Sequence, residues 1–326
     1  MPQTLTEECV DAPIGKIQVF RAGAGDPLVY LHSAGGEPTN PALEDLADSF
    51  AVTVPVFPGF GESEGIEQID DMEDAVFHLL DMWELLGLDA PLVVGLSLGG
   101  WMAMELATRY PERVGKMVLV NPVGIHIDDV PMAEMFGRSP AELAEMLFAD
   151  QSHPIAQAMH AMDEFTGDVG RQVEIPIEMV LPMWKAISAT AKLGWDTYLH
   201  NPNLRGRMRR ITTPTLVVAG AQDGLVPPGL RRDVRGRDPR RAPRSHRRRR
   251  PLAPLREARR ARRPGPGVRL GDDRHRGAEG GLGCDLLDDV VRHADAAVGD
   301  RLPDRRRVVC PVDRDGAALF PVREHG

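Results

Sequence analysis

The chain has 326 residues, 42% of them hydrophobic, enough to bury one large core or two modest ones. Cys9, Cys284 and Cys310 form an odd set at unrelated spacings, so they imply neither a disulfide framework nor a zinc site and fit a reducing cytoplasm. The net charge of −9 conceals a split: residues 1–228 hold 13 Lys+Arg against 33 Asp+Glu, while residues 229–326 hold 26 against 15.

The first residues, Met1 to Glu8, show no basic segment followed by an apolar one, and no run of about 18 apolar residues occurs anywhere, so neither export nor a membrane span is expected. Lys16 to Phe20 reads as a strand. After a turn at Gly23 to Asp26, Pro27 to Leu31 reads as a short buried strand ending at His32-Ser33-Ala34-Gly35-Gly36. Pro41 to Ser49 has a helix pattern, and Ala51 to Val56 is the next strand, closed by Pro58-Gly59-Phe60-Gly61. Met72 to Leu86 carries apolar residues three and four apart, as an amphipathic helix does.

Pro91 to Leu96 is an apolar, β-branched run too short for a helix, and it meets Gly95-Leu96-Ser97-Leu98-Gly99 before continuing in helix-favouring Ala, Met, Leu and Glu up to Tyr110-Pro111. The pattern predicts strand, sharp turn, helix. Ser97 would stand on the strained tip, with Gly95 and Gly99 giving room for the close approach and the positive end of the helix beneath a developing oxyanion. Lys116 to Val120 is another strand. Alternation of strand and helix predicts an α/β fold with a mostly parallel sheet, helices on both faces, and a site at the carboxyl ends of the strands.

From about Gly124 to Leu204 the rhythm becomes helical. Ser139-Pro140-Ala141-Glu142 is a capping box opening a helix to Phe148, and further helix patterns cover Ile155 to Phe165 and Ile177 to Leu193. Such an insertion reads as a lid over an apolar pocket. The expected division is thus a core over 1–124, a helical cap over 125–204, the core resumed over 205–228, and an Arg-rich tail over 229–326. The sheet resumes at Pro214 to Gly220, and Asp223 follows where a Ser-first triad places its acid. Asp223 also has a structural reading, as the cap of a following helix.

Three motifs now carry a resemblance: Gly95-Leu96-Ser97-Leu98-Gly99-Gly100, Pro58-Gly59-Phe60-Gly61-Glu62-Ser63 and Gly220-Ala221-Gln222-Asp223-Gly224-Leu225-Val226-Pro227. From Pro27 to Pro228 the chain resembles the α/β-hydrolase superfamily with a helical cap, and within it the esterase and meta-cleavage-product hydrolase branches. The resemblance implies Ser97 as nucleophile, Asp223 as the acid that orients a catalytic His, and the backbone amides of Leu98 and Ala34 as oxyanion donors. This chain has His32-Ser33 where the family usually shows His-Gly, and His32 reads as a loop brace. The implied chemistry is acyl transfer to water on an ester or related carbonyl compound, with a small-molecule substrate, no cofactor and no metal. A non-catalytic binder, an acyltransferase and a cofactor-free haloperoxidase are the alternatives on the same fold. Ser in the elbow argues against dehalogenase and epoxide hydrolase chemistry, for which this fold uses Asp.

The family places its His about 25 to 30 residues beyond the acid. Between Asp223 and Gly271 stands only His246, a weak candidate ahead of Arg247-Arg248-Arg249-Arg250 with no strand before it. After Pro228 there is no Lys, Ile, Asn, Gln, Thr, Met, Tyr or Trp. One reading is a disordered, phosphate-binding basic arm. The other is translation out of frame, which removes nucleic acid from the expected partners. Taking the last two bases of each codon with the first of the next, His246/Arg247 permits Ile, the pairs from Arg247 to Pro251 permit Asp-Gly-Ala-Gly, and Pro251/Leu252, Leu252/Ala253 and Ala253/Pro254 permit His, Leu and Pro. A family-like ending with its His about 28 positions after Asp223 is therefore available in the shifted frame.

Overall fold

The computed structural model describes residues 4–36, 38–127, 132–167, 177–220, 223–226 and 308–312, and the structural statements below concern these. Eight strands form one sheet in the order β1 (Thr6–Ala12), β2 (Gly15–Ala22), β4 (Phe50–Pro55), β3 (Asp26–Leu31), β5 (Leu92–Leu96), β6 (Lys116–Val120), β7 (Thr215–Gly220) and β8 (Val308–Val312). β1, β2 and β4 pair antiparallel; every other pairing is parallel. The central strand β5 is buried along its whole length, which explains its unbroken apolar run, since a parallel strand covered on both faces has no polar side.

Alternation within the strands feeds two apolar layers. Val29 and Leu31 of β3 face a cluster with Trp83, Trp101 and Leu106, while Leu28 and Tyr30 face Leu43, Leu46 and Val52. Helices α2 (Met72–Leu85) and α3 (Leu98–Arg109) supply the first layer and α1 (Pro41–Leu46) the second. Local sequence sets where the helices begin. Asp71 caps α2 by accepting from the amides of Glu73 and Asp74, and Asn40 caps α1 through Leu43.

Between β6 and β7 the described helices are α4 (Pro140–Leu147), α5 (Pro154–Gly167), α6 (Ile177–Gly194) and α7 (Leu204–Arg207). The Ser139–Glu142 capping box forms in both directions at the start of α4. At the root of this insertion the outgoing and returning chains are tied together. The amide of Gly124 donates to Leu199 O at 2.9 Å, that of Asn201 donates to Gly124 O at 3.0 Å, and the rings of His126 and His200 stack at 4.6 Å. Farther out, Lys192 of α6 donates from Nζ to Ile66 O at 2.7 Å, joining the insertion to the core.

Two strands differ from the sequence reading. β1 carries almost no buried side chain, so it lacks the alternation that marks a half-buried strand; backbone pairing with β2 and the 2.6 Å contact of Arg21 Nε with Glu8 Oε1 hold it instead. The Arg-rich tail reads as disordered or out of frame, yet Val308–Val312 pairs with β7 from Leu216↔Val308 to Gly220↔Val312. It is the tail's one short Val-rich run, which lets it adopt an extended edge where the surrounding Arg and Pro residues offer no alternation. The rest of the tail lies outside the described residues.

Candidate active site

Ser97 joins β5 to α3 with φ 50 and ψ −106, an unfavourable backbone for a residue with a side chain, costing on the order of 1–3 kcal/mol. The surroundings hold it there. The amide of Ser97 donates to Val120 O at 2.9 Å, and its carbonyl accepts from Trp101 at 3.1 Å and Val123 at 3.3 Å. A Cβ on Gly95 would lie 2.6 Å from Gly99 O, and one on Gly99 would collide with Leu31 O. Strand and helix can cross this closely only because both positions lack side chains. As N-cap residue Ser97 makes no side-chain capping bond, so its hydroxyl is not spent on the helix end. The first amide of α3, that of Leu98, has no acceptor within its own helix and stands at the positive end of a 12-residue dipole.

The loop after β3 lies against this turn, because the amide of Gly99 donates to His32 O at 3.1 Å. His32 is 3% exposed, and its Nε2 accepts from the amide of Phe57 at 3.0 Å. An amide can only donate, so the ring proton sits on Nδ1, 2.8 Å from Ser33 O. His32 thus braces two loops with both nitrogens. Ser33, where the family usually has Gly, takes no positive φ; its Oγ accepts from the amide of Gly35 at 2.9 Å and its carbonyl from Gly36 at 3.1 Å. The turn is closed by a serine side chain, and Ala34, partly buried, is carried at its crest.

Asp223 follows β7. Across the sheet Leu96, Val120 and Val218 are register partners, which puts Ser97 and Asp223 beyond the same edge with one strand between them. Asn121, at the end of that strand, holds a positive φ of 42 and accepts from the amide of Gly220 through Oδ1 at 2.9 Å. Asp223 Oδ1 accepts from the amides of Leu225 and Val226, each at 2.9 Å. The carboxylate therefore closes its own loop, and those two bonds fix the direction in which it points; whether a helix follows for it to cap lies outside the described residues. Sequence reasoning missed Asn121; an Asn directly after a buried strand, able to take a left-handed backbone, was the available signal.

Every described histidine, namely His32, His78, His126, His153, His160 and His200, precedes β7. His246 lies outside the described residues. Among the described residues no group of three His, Cys, Asp or Glu is placed to hold a metal ion, and no helix is long and apolar enough to cross a membrane.

A family model described as alpha/beta hydrolase fold matches residues 26–250. The chain belongs to the α/β-hydrolase family. This hydrolase is 27% identical over 237 residues to 2-hydroxy-6-oxo-6-phenylhexa-2,4-dienoate hydrolase of Burkholderia cepacia, covering 65% of the chain and 76% of the relative. It is 28% identical over 220 residues to pimeloyl-[acyl-carrier protein] methyl ester esterase of Shewanella woodyi, covering 65% and 81%. It spans 39% of the length of a biotin biosynthesis bifunctional protein of Teredinibacter turnerae, at 27% identity over 228 residues and 65% of the chain. Among solved structures, 2-hydroxy-6-oxo-6-phenylhexa-2,4-dienoate hydrolase from Rhodococcus sp. strain RHA1 superposes with a TM-score of 0.55 at 23% identity, over 72% of the hydrolase and 87% of that chain. That likeness establishes the shared fold.

Proposed function

We propose that this hydrolase cleaves a small carbonyl compound, an ester first, with Ser97 as nucleophile. The observation that carries the reading is the strained Ser97 backbone, held by Val120, Trp101 and Val123 with no capping bond from the hydroxyl. Such strain persists where a site requires it. In the proposed step Ser97 Oγ attacks the carbonyl carbon and gives its proton to a histidine. The oxyanion forms against the amides of Leu98 and Ala34, and the alcohol departs with the proton; water then hydrolyses the acyl-Ser97 by the same route. Asp223 holds the histidine in the correct tautomer, and the helical insertion acts as a cap that excludes water. The 2-hydroxy-6-oxo-6-phenylhexa-2,4-dienoate named for the Burkholderia cepacia relative and the methyl ester named for the Shewanella woodyi one are both carbonyl compounds within reach of this chemistry. No cofactor takes part, and cytoplasmic location fits the reading.

One observation favours a second reading, a binder of the same fold whose triad is dead: between Asp223 and Gly271 the sequence offers His246 alone, ahead of Arg247-Arg248-Arg249-Arg250. A fluorophosphonate probe separates the two. Labelling of the wild type and not of Ser97→Ala upholds an activated serine; no labelling of either upholds the binder. A panel of short-chain to aromatic esters and a vinylogous diketone then ranks the substrates.

A further inference from the structure

The acid-bearing loop is gripped from the helical insertion. The amide of Gly224 donates to Met146 O at 3.2 Å, and the amide of Ala133 donates to Leu225 O at 3.3 Å. The fit at Gly224 is close, since a Cβ there would lie 2.7 Å from Met146 O. Ala133 is itself held. Tyr198, at the far end of the insertion, donates its hydroxyl to Ala133 O at 2.8 Å and accepts from the amide of Met135 at 2.7 Å. Its ring packs edge-on against Phe136 at 5.7 Å.

These bonds form one line. Tyr198 Oη bonds Ala133 O, Ala133 N bonds Leu225 O, and Leu225 N bonds Asp223 Oδ1 at 2.9 Å. We propose that Tyr198 is a positioning residue for Asp223, acting through the 133–135 segment and Leu225, so that the insertion sets the aim of the carboxylate. The proposal rests on Asp223 being the acid of the site. Leu225 and Val226 are buried at 6% and 3% exposure, so the loop cannot replace lost bonds with water. Burial raises the Tyr198 hydroxyl to about 12, which keeps it protonated, able to donate and accept together, at any ordinary assay pH. Displacement of a catalytic group by about 1 Å costs up to 100-fold in rate, so a lost hydroxyl can act at this distance without touching substrate.

The test compares wild type, Tyr198→Phe and Asp223→Asn as full-length chains. Phe keeps the ring against Phe136 and removes only the hydroxyl. Amide exchange of Leu225 and Val226 should quicken about tenfold in Tyr198→Phe, with β5 amides unchanged as the control for global unfolding. With p-nitrophenyl butyrate, turnover that depends on Asp223 should fall about tenfold in kcat, with KM within about twofold. Unchanged exchange at 225–226 overturns the proposal, with or without measurable turnover. Faster exchange with unchanged kcat also overturns it if Asp223→Asn lowers kcat. If neither variant changes kcat while exchange quickens, the tie from Tyr198 to the loop stands and Asp223 takes no part in turnover by the chain as it stands.

Discussion

Asn201 Nδ2 lies 2.7 Å from Glu105 Oε1, so the chain leaving the helical insertion is tied to the helix that carries Ser97 at its start. Glu105 is 0% exposed and also takes Trp101 Nε1 at 3.2 Å and the guanidinium of Arg109. One buried carboxylate thus joins α3, its last turn and the root of the insertion. Removing it strands three donors, one of them a cation that is only 20% exposed. Loss of a partner from such a site costs about 3 kcal/mol. Glu105→Ala should therefore lower the unfolding free energy by that amount, read as a lower urea midpoint at unchanged slope, with Glu105→Gln falling between. An unfolding free energy within about 0.5 kcal/mol of wild type would mean that Arg109 finds water and the junction is held by backbone bonds alone.

Acid sensitivity is written into α2. His78 is 3% exposed, its Nδ1 has no hydrogen-bond partner among the described residues, and its ring meets Phe57 edge-on at 5.7 Å. Desolvation lowers its pKa from 6.5 to about 4. With the folded pKa depressed, the unfolded chain binds the proton more readily, so stability is present above 6.5 and drains away as pH falls towards 4. The loss between pH 7 and pH 5 is about 2 kcal/mol from this one group. His78→Leu should be more stable than wild type by about 1 kcal/mol at pH 7, through removal of the unsatisfied nitrogen, and by clearly more at pH 5. Melting curves at the two pH values give the answer; a gap that does not widen on acidification would place the proton elsewhere.

The elements that were legible in the sequence are those whose residues report their own surroundings. β5 read as a strand because burial on both faces makes it apolar throughout, and α4 read from Ser139 and Glu142 because the capping box is local. The elbow read from spacing, since Gly95 and Gly99 are required by a clash within a few residues and with Leu31. β1 was illegible because an exposed edge needs no apolar face. Tyr198 and Asn201 were illegible for another reason. Their partners, Ala133 and Met135 in one case and Glu105 in the other, meet them only after the insertion folds back.

The outer edge of β7 and the triad base depend on the same stretch of chain, the one that follows Pro228. In the chain as it stands that edge is covered by β8, drawn from Val308–Val312, and between Asp223 and Gly271 the sequence offers only His246. The family match nonetheless runs on to residue 250, past the composition break at Pro228. In the shifted frame the same stretch permits an apolar lead, then Asp-Gly-Ala-Gly-His-Leu-Pro, with the histidine read across Pro251 and Leu252. Restoring that frame just after Pro228 should supply the base, in a stretch with the character of a strand and its loop. Loss of one triad member costs several orders of magnitude in turnover while oxyanion and binding effects leave a remainder. The reframed chain should therefore hydrolyse p-nitrophenyl esters at least about 1,000-fold faster than the present one, and replacing its new histidine by Ala should return it to the present level. Resequencing the gene and expressing both versions decides the matter. Equal turnover would locate the base in the chain as it stands, and His246→Ala is then the first substitution to make.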